Sequence, residues 1–143
     1  MTVVRSLFLV AVLVGGLAAC GEEAKPAAPA WEEPASYTYT LTSSEGERAL
    51  IGTFRITVRG SEVTKAVGLD DSARRVVRQL PDPVPTLGAL LKELEQARGD
   101  DADTARARTA ADGHPTHIEL DWEENAVDDE VRYDITDYEP AAD

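Results

Sequence analysis

The chain has 143 residues, 43% hydrophobic and 29% charged, which suits one compact globular domain and excludes both a two-domain enzyme and a disordered polymer. A formal net charge of −13 argues against nucleic acid and against electrostatic adhesion to anionic lipid, since both need clustered lysine and arginine. The only cysteine, Cys20, rules out an intramolecular disulfide, a cysteine metal centre and a redox thiol pair.

Residues 1–19 read as a signal peptide. Arg5 and the amino terminus form a positive n-region, Leu7 to Val14 an apolar run, and Gly15 and Gly16 begin a stretch of small residues. The apolar stretch up to Cys20 is shorter than the roughly 20 residues that span a bilayer, and Gly21, Glu22 and Glu23 follow it without a stop-transfer cluster. The junction Leu17-Ala18-Ala19-Cys20-Gly21 is similar to the lipobox of bacterial lipoproteins. That resemblance implies a diacylglycerol on the Cys20 sulfur and cleavage after Ala19, with two acyl chains giving a stable anchor. Residues 20–35 are then the lipidated terminus and a spacer rich in Ala, Glu and Pro, extended as polyproline II. Within it Trp31 can serve either as an interfacial anchor or as the first contact with the domain.

The single domain is expected over residues 36–140. Tyr37, Tyr39 and Leu41 alternate with threonines, and Phe54, Ile56 and Val58 alternate with Arg55, Thr57 and Arg59, both at the period of a half-buried strand. Gly60 and Ser61 turn the second strand into a third, Glu62 to Val67. Around Val76 and Val77 the pattern fits a short strand or one helical turn equally, and Pro81, Pro83 and Pro85 end any regular element, so this region is assigned as a connection. Thr86 is an N-cap for a helix from Leu87 to Arg98, with Leu87, Leu90, Leu91, Leu94 and Ala97 on one face and Gly99 at C′. Thr104 to Thr109 reads as a weak strand, and Ile118 to Trp122 and Val131 to Ile135 as a second hairpin. The fold class is α+β: an antiparallel sheet of about five to six strands, one face wet and one face covered by a single amphipathic helix.

From Tyr37 to Tyr138 the chain resembles an uncharacterised family of actinobacterial lipoproteins, a domain of unknown function. The resemblance is carried by Tyr37-Thr38-Tyr39, Phe54 to Gly60, Gly113, Pro115, Ile118, Asp121, and Asp128-Asp129-Glu130. Between Gly113 and Pro115, where those relatives carry an aromatic, this chain has His114. The resemblance implies the fold class and no activity.

The candidate metal ligands are Asp121, Glu124, Asp128 and Asp129, carboxylates of one hairpin loop that could converge on Ca2+, although the spacing is not that of an EF-hand. Arg74, Arg75 and Arg78 form a basic cluster able to contact an anionic partner. His114 and His117 have the spacing H-x-x-H, but Pro115 breaks the helical presentation a zinc pair uses. Cys20 is committed to lipid and no serine sits in a nucleophile elbow, so no catalytic residue and no cofactor other than the lipid is assigned. The expected function is a noncatalytic binding or accessory lipoprotein on the extracytoplasmic face of the cell membrane, contacting an envelope protein or ligand and not nucleic acid. A cation-binding lipoprotein using residues 121–130 is the alternative, and a hydrolase the third reading.

Overall fold

The computed structural model describes residues 30–142 apart from Glu47, Pro81, Pro83 and Val127. Residues 1–19, expected to be a signal peptide, Cys20 and most of the stretch read as a spacer lie outside the described residues. Among the described residues no helix is long and apolar enough to cross a membrane.

In chain order the elements are β1 (Tyr37–Ser44), β2 (Gly52–Arg59), β3 (Glu62–Gly68), α1 (Asp71–Gln79), α2 (Leu87–Gly99), β4 (Thr104–Thr109), β5 (Pro115–Asp121) and β6 (Val131–Pro140). The strands form one sheet in the order β3-β2-β1-β6-β5-β4. All neighbours are antiparallel. Two three-stranded meanders therefore meet along β1 and β6, and each contributes one outer edge, β3 and β4.

The expected single covering helix is corrected to two. Six strands at about 4.8 Å spacing make a sheet some 24 Å wide, whereas one helix with its side chains covers about 10 Å. The region assigned as a connection supplies the second: α1 packs on β2 and β3, while α2 packs on β4 and β5. Asp70 starts α1 by accepting from the Ala73 amide at 2.8 Å, a polar N-cap. Sequence periodicity missed α1 because only Ala73 in it is fully buried. The helix lies so close to the sheet that a Cβ on Gly68 would sit 2.4 Å from the Arg74 backbone nitrogen.

Helix α2 runs on through Gly99, and the left-handed residue at its end is Asp101, φ 56°, a conformation that Asp tolerates better than most residues. Its beginning is more elaborate. Thr86 accepts from the Ala89 amide at 3.1 Å, the Tyr37 hydroxyl from Leu87 at 2.9 Å, and Glu33 Oε1 from Gly88 at 3.1 Å, so side chains satisfy the amides that open a helix. Trp31 packs edge-on against Tyr37 and Tyr138. Contact with the domain thus begins before residue 36, inside the stretch read as spacer.

Between sheet and helices lies the core: Tyr37, Tyr39, Leu41, Phe54, Ile56, Val58, Ile118, Leu120, Tyr133 and Ile135 from the strands, and Leu87, Leu90, Leu94 and Ala97 from α2. Its tyrosine hydroxyls are satisfied at the rim, Tyr39 by Pro85 O and Tyr133 by Glu93.

Candidate functional site

Strand alternation sends every second side chain to the face opposite the helices, where no element among the described residues covers it. On that face the register builds cross-strand rows. In one, Arg108, His117, Asp134, Thr42 and Thr53 stand side by side across β4, β5, β6, β1 and β2; in the next, Arg106, Glu119, Arg132 and Ser44 do so. His117 Nδ1 meets Asp134 Oδ1 at 2.7 Å, which fixes the ring and leaves Nε2 for other partners. Arg132 reaches Glu45 at 2.5 Å and Glu119 at 3.7 Å.

Near the centre Arg55 joins three strands. Its guanidinium donates to Thr38 Oγ1 at 2.9 Å, Thr40 Oγ1 at 3.2 Å and Asp137 O at 3.0 Å. Asp137, at φ 50°, lies where the register between β1 and β6 shifts, so Arg55 holds a β-bulge in place. The Thr42 and Thr53 hydroxyls are 3.3 Å apart, but Asp134 stands between them and the imidazole, the wrong order for a Thr/His nucleophile pair.

The sheet's two ends differ. Residues 30–36, the β2–β3 turn and the end of β6 share one end, tied together by Ser61 N to Ala35 O and Ala141 N to Ser36 O, both 2.9 Å. At the other end the α2–β4 and β5–β6 loops meet. There Asp103 accepts from the Glu124 amide at 2.7 Å and Asp129 from the Glu123 amide at 2.8 Å. Asp121 Oδ1 and Asp129 Oδ1 are shielded from solvent without a hydrogen-bond partner among the described residues. Burial first, then the charges of Asp129 and Asp103, push the Asp121 carboxyl above its ordinary range.

Of the four residues expected to hold a cation, Asp121, Glu124 and Asp129 thus fall in one neighbourhood, which Asp103 joins from outside the hairpin, while Asp128 is exposed. Among the described residues no group of three or more acidic or histidine side chains is placed to share one ion.

The third feature is an edge. A groove of about 560 Å³ runs along β4, lined by Arg98, Ala105, Arg106, Ala107, Arg108, His117 and Glu119. Arg98 pairs with Glu95 at 2.6 Å and donates through Nε to Ala105 O at 3.4 Å.

Comparison with known proteins assigns the chain on this architecture, with a profile described as a family of unknown function, DUF6174, matching residues 23–140. The chain belongs to the DUF6174 family. No curated protein and no solved structure matches it. The match spans the whole DUF6174 sheet and both helices, and it also includes Trp31 and Glu33 ahead of β1.

The anticipated basic cluster of this DUF6174 chain lies on α1. Arg74 is tied to Asp71 at 2.9 Å and Leu69 O at 3.1 Å, and Arg75 reaches Ser72 at 3.4 Å. All three arginines are exposed, Arg78 with them. Arg132, at the start of β6 beside the acidic loop, takes Glu45 and Glu119, neither from that loop. His114 stacks on Tyr138 with ring centroids 4.2 Å apart, so the imidazole occupies a place that an aromatic ring fits. Glu33, Asp103 and the pairing of His117 with Asp134 went unpredicted because each depends on a partner distant in sequence.

Proposed function

We propose that this DUF6174 chain is an exported lipoprotein of actinobacterial type, anchored on the extracytoplasmic face of the cell membrane by diacylglycerol on Cys20, and that its domain is a noncatalytic binding module of the envelope. The lipobox-like Leu17 to Gly21 supports the anchor, and the scarcity of lysine, confined to Lys25, Lys65 and Lys92, fits a GC-rich genome. The observation that carries the binding reading is the uncovered six-stranded face, whose polar side chains are braced by Arg55, Arg132 and the bond from His117 to Asp134. A rigid, polar, open surface presents fixed hydrogen-bond groups without a cleft to exclude water, which suits recognition more than turnover.

Because Trp31 and Glu33 dock on the domain, ten residues, 21–30, separate Cys20 from the first docked side chain, a length of about 30 Å for polyproline II. The acidic end then points away from the membrane. Two measurements test the reading. Cys20→Ser should move the protein from the detergent phase to the aqueous phase; unchanged partitioning overturns the anchor. A photocrosslinker at Thr136, exposed beside Thr40 on the open face, should capture envelope components that one at Lys92, on α2, does not; equal labelling overturns the face as the contact.

A cation-binding role for the loop of residues 121–130 is the second reading, favoured by the unpartnered oxygens of Asp121 and Asp129. Calcium at millimolar concentration should then raise the melting temperature in a manner that chelator reverses and Asp129→Asn abolishes. No shift removes this reading and leaves the first intact.

A further inference from the structure

We infer that the free edge of β4 accepts an extended acidic segment of a partner protein as an added strand, with the partner's alternate carboxylates paired to Arg106 and Arg108. The inference builds on the binding-module reading but depends on neither the lipid anchor nor the acidic loop.

Strand β4 is the last of the sheet on its side, so one row of its backbone donors and acceptors has no strand to pair with among the described residues. Ala105 O accepts from the Arg98 side chain at 3.4 Å, whereas Arg108 O, of opposite parity, accepts from Thr116 on β5, which turns Ala105 O towards the outer edge. By the period of two, the amide and carbonyl of Ala107 face the same free edge. The alanine side chains at residues 105 and 107 are short, which opens the groove beside the strand and lets another backbone approach.

Charge selects the occupant. Three arginines line the groove, in a chain whose net charge is −13. Glu119, the one acid in the lining, lies within 3.7 Å of Arg132. Among the described residues no carboxylate lies within ion-pair distance of Arg106 or Arg108. These two side chains leave the same face of the strand two residues apart, about 7 Å, the repeat at which side chains recur on one face of an added strand. A segment alternating acidic and apolar or threonine residues therefore matches both the backbone edge and the charge spacing. Charges on an edge also deter sheets from joining one another, and that role alone predicts no acidic ligand.

The test uses the full chain in nonionic detergent and a fluorescein-labelled peptide alternating glutamate with valine, read by anisotropy, beside the same peptide with lysine for glutamate. The glutamate peptide should bind and the lysine peptide should not. Binding should weaken at least tenfold in the Arg106→Glu, Arg108→Glu double variant. Ala107→Pro keeps both arginines and is tolerated at an outward-facing edge position, yet it removes the backbone donor and should weaken binding to a similar degree. In the wild type the peptide should slow hydrogen exchange at the β4 amides. Absence of binding overturns the inference. So does binding that survives Ala107→Pro without β4 protection, which would make the groove a side-chain site for anions of any backbone, inorganic phosphate included.

Discussion

Glu33 Oε1 accepts the Gly88 amide at 3.1 Å, and a Cβ on Gly88 would fall 1.9 Å from Glu33 Oε2. The same carboxylate accepts the Tyr37 hydroxyl at 2.5 Å. A residue ahead of the first strand thus closes the helix that covers the other half of the sheet, in the field of its positive end.

The relationship predicts a reversal of sign. Glu33→Ala should cost about 1.5–3 kcal/mol, the range for hydrogen bonds to a charged group. Gly88→Ala, which helix propensity alone would make favourable by up to about 1 kcal/mol, should destabilise by evicting the carboxylate. In the Glu33→Ala background the same substitution should be neutral or stabilising. Urea unfolding of the four proteins reads the coupling; simple additivity would mean that Glu33 carries no weight at this helix end.

Asp70 accepts from Ala73 N at 2.8 Å and from Thr53 N at 2.7 Å. The Ala73 bond outweighs burial and, with Thr53, holds the Asp70 carboxyl below its ordinary range. A group depressed on folding stabilises above its unfolded pKa of about 3.9 and loses that contribution as pH falls towards its lower folded value. Asp70→Ala should cost about 1 kcal/mol at neutral pH and flatten the acid limb of a melting curve measured from pH 5 downward. An unchanged acid limb would assign that sensitivity elsewhere.

At Asp121 the sign runs the other way. Burial and neighbouring acids raise this carboxyl, so the folded state holds its proton more tightly and the charged form opposes folding. Stability linked to this group rises as pH falls through the raised folded pKa towards the unfolded one. Asp121→Asn should therefore raise the neutral melting temperature in the absence of calcium and lose any calcium-dependent increment. A drop in melting temperature without calcium would show the carboxylate to be satisfied.

Burial is the first cause that raises Tyr37, Tyr39, Tyr133 and Tyr138 above the ordinary phenol range, and these are all the tyrosines of the chain. The stability they contribute is complete below the unfolded pKa of about 10 and is lost as pH climbs above it. Tyrosinate absorbance should accordingly appear together with loss of near-ultraviolet dichroism. A phenolate step that precedes unfolding would point to Tyr138, the only one of the four that is partly exposed.

The strands were legible because the chain writes them at period two with aromatic and β-branched residues, as in Tyr37 to Thr42 and Phe54 to Arg59. Helix α2 was legible through its leucine stripe. Helix α1 was not, because its apolar side is only Ala73, Val76 and Val77, a set as compatible with a short strand as with a helical turn, and a close, glycine-floored approach needs no larger face. Of the site, the polar identity of the open face could be read from alternation, but its rows could not, since register between β1 and β6 joins residues some ninety positions apart and no local pattern encodes it. The roles of Arg106 and Arg108 were hidden for the same reason: only the strand order reveals that β4 has no neighbour on one side.

The strand order 3-2-1-6-5-4 also sets a timetable. β1 leaves the ribosome first among the strands and β6 last, yet they are partners at the middle of the sheet. The strands of the amino-terminal meander are neighbours in sequence as well as in space, but one side of β1 stays bare until the final strand docks. Loop closure over nearly the whole domain must then precede the seam that joins the halves, a nonlocal step of the kind that slows folding. A chain cut short before Val131 would keep that central edge permanently open, presenting the alternating tyrosine and threonine strand as a template for aggregation.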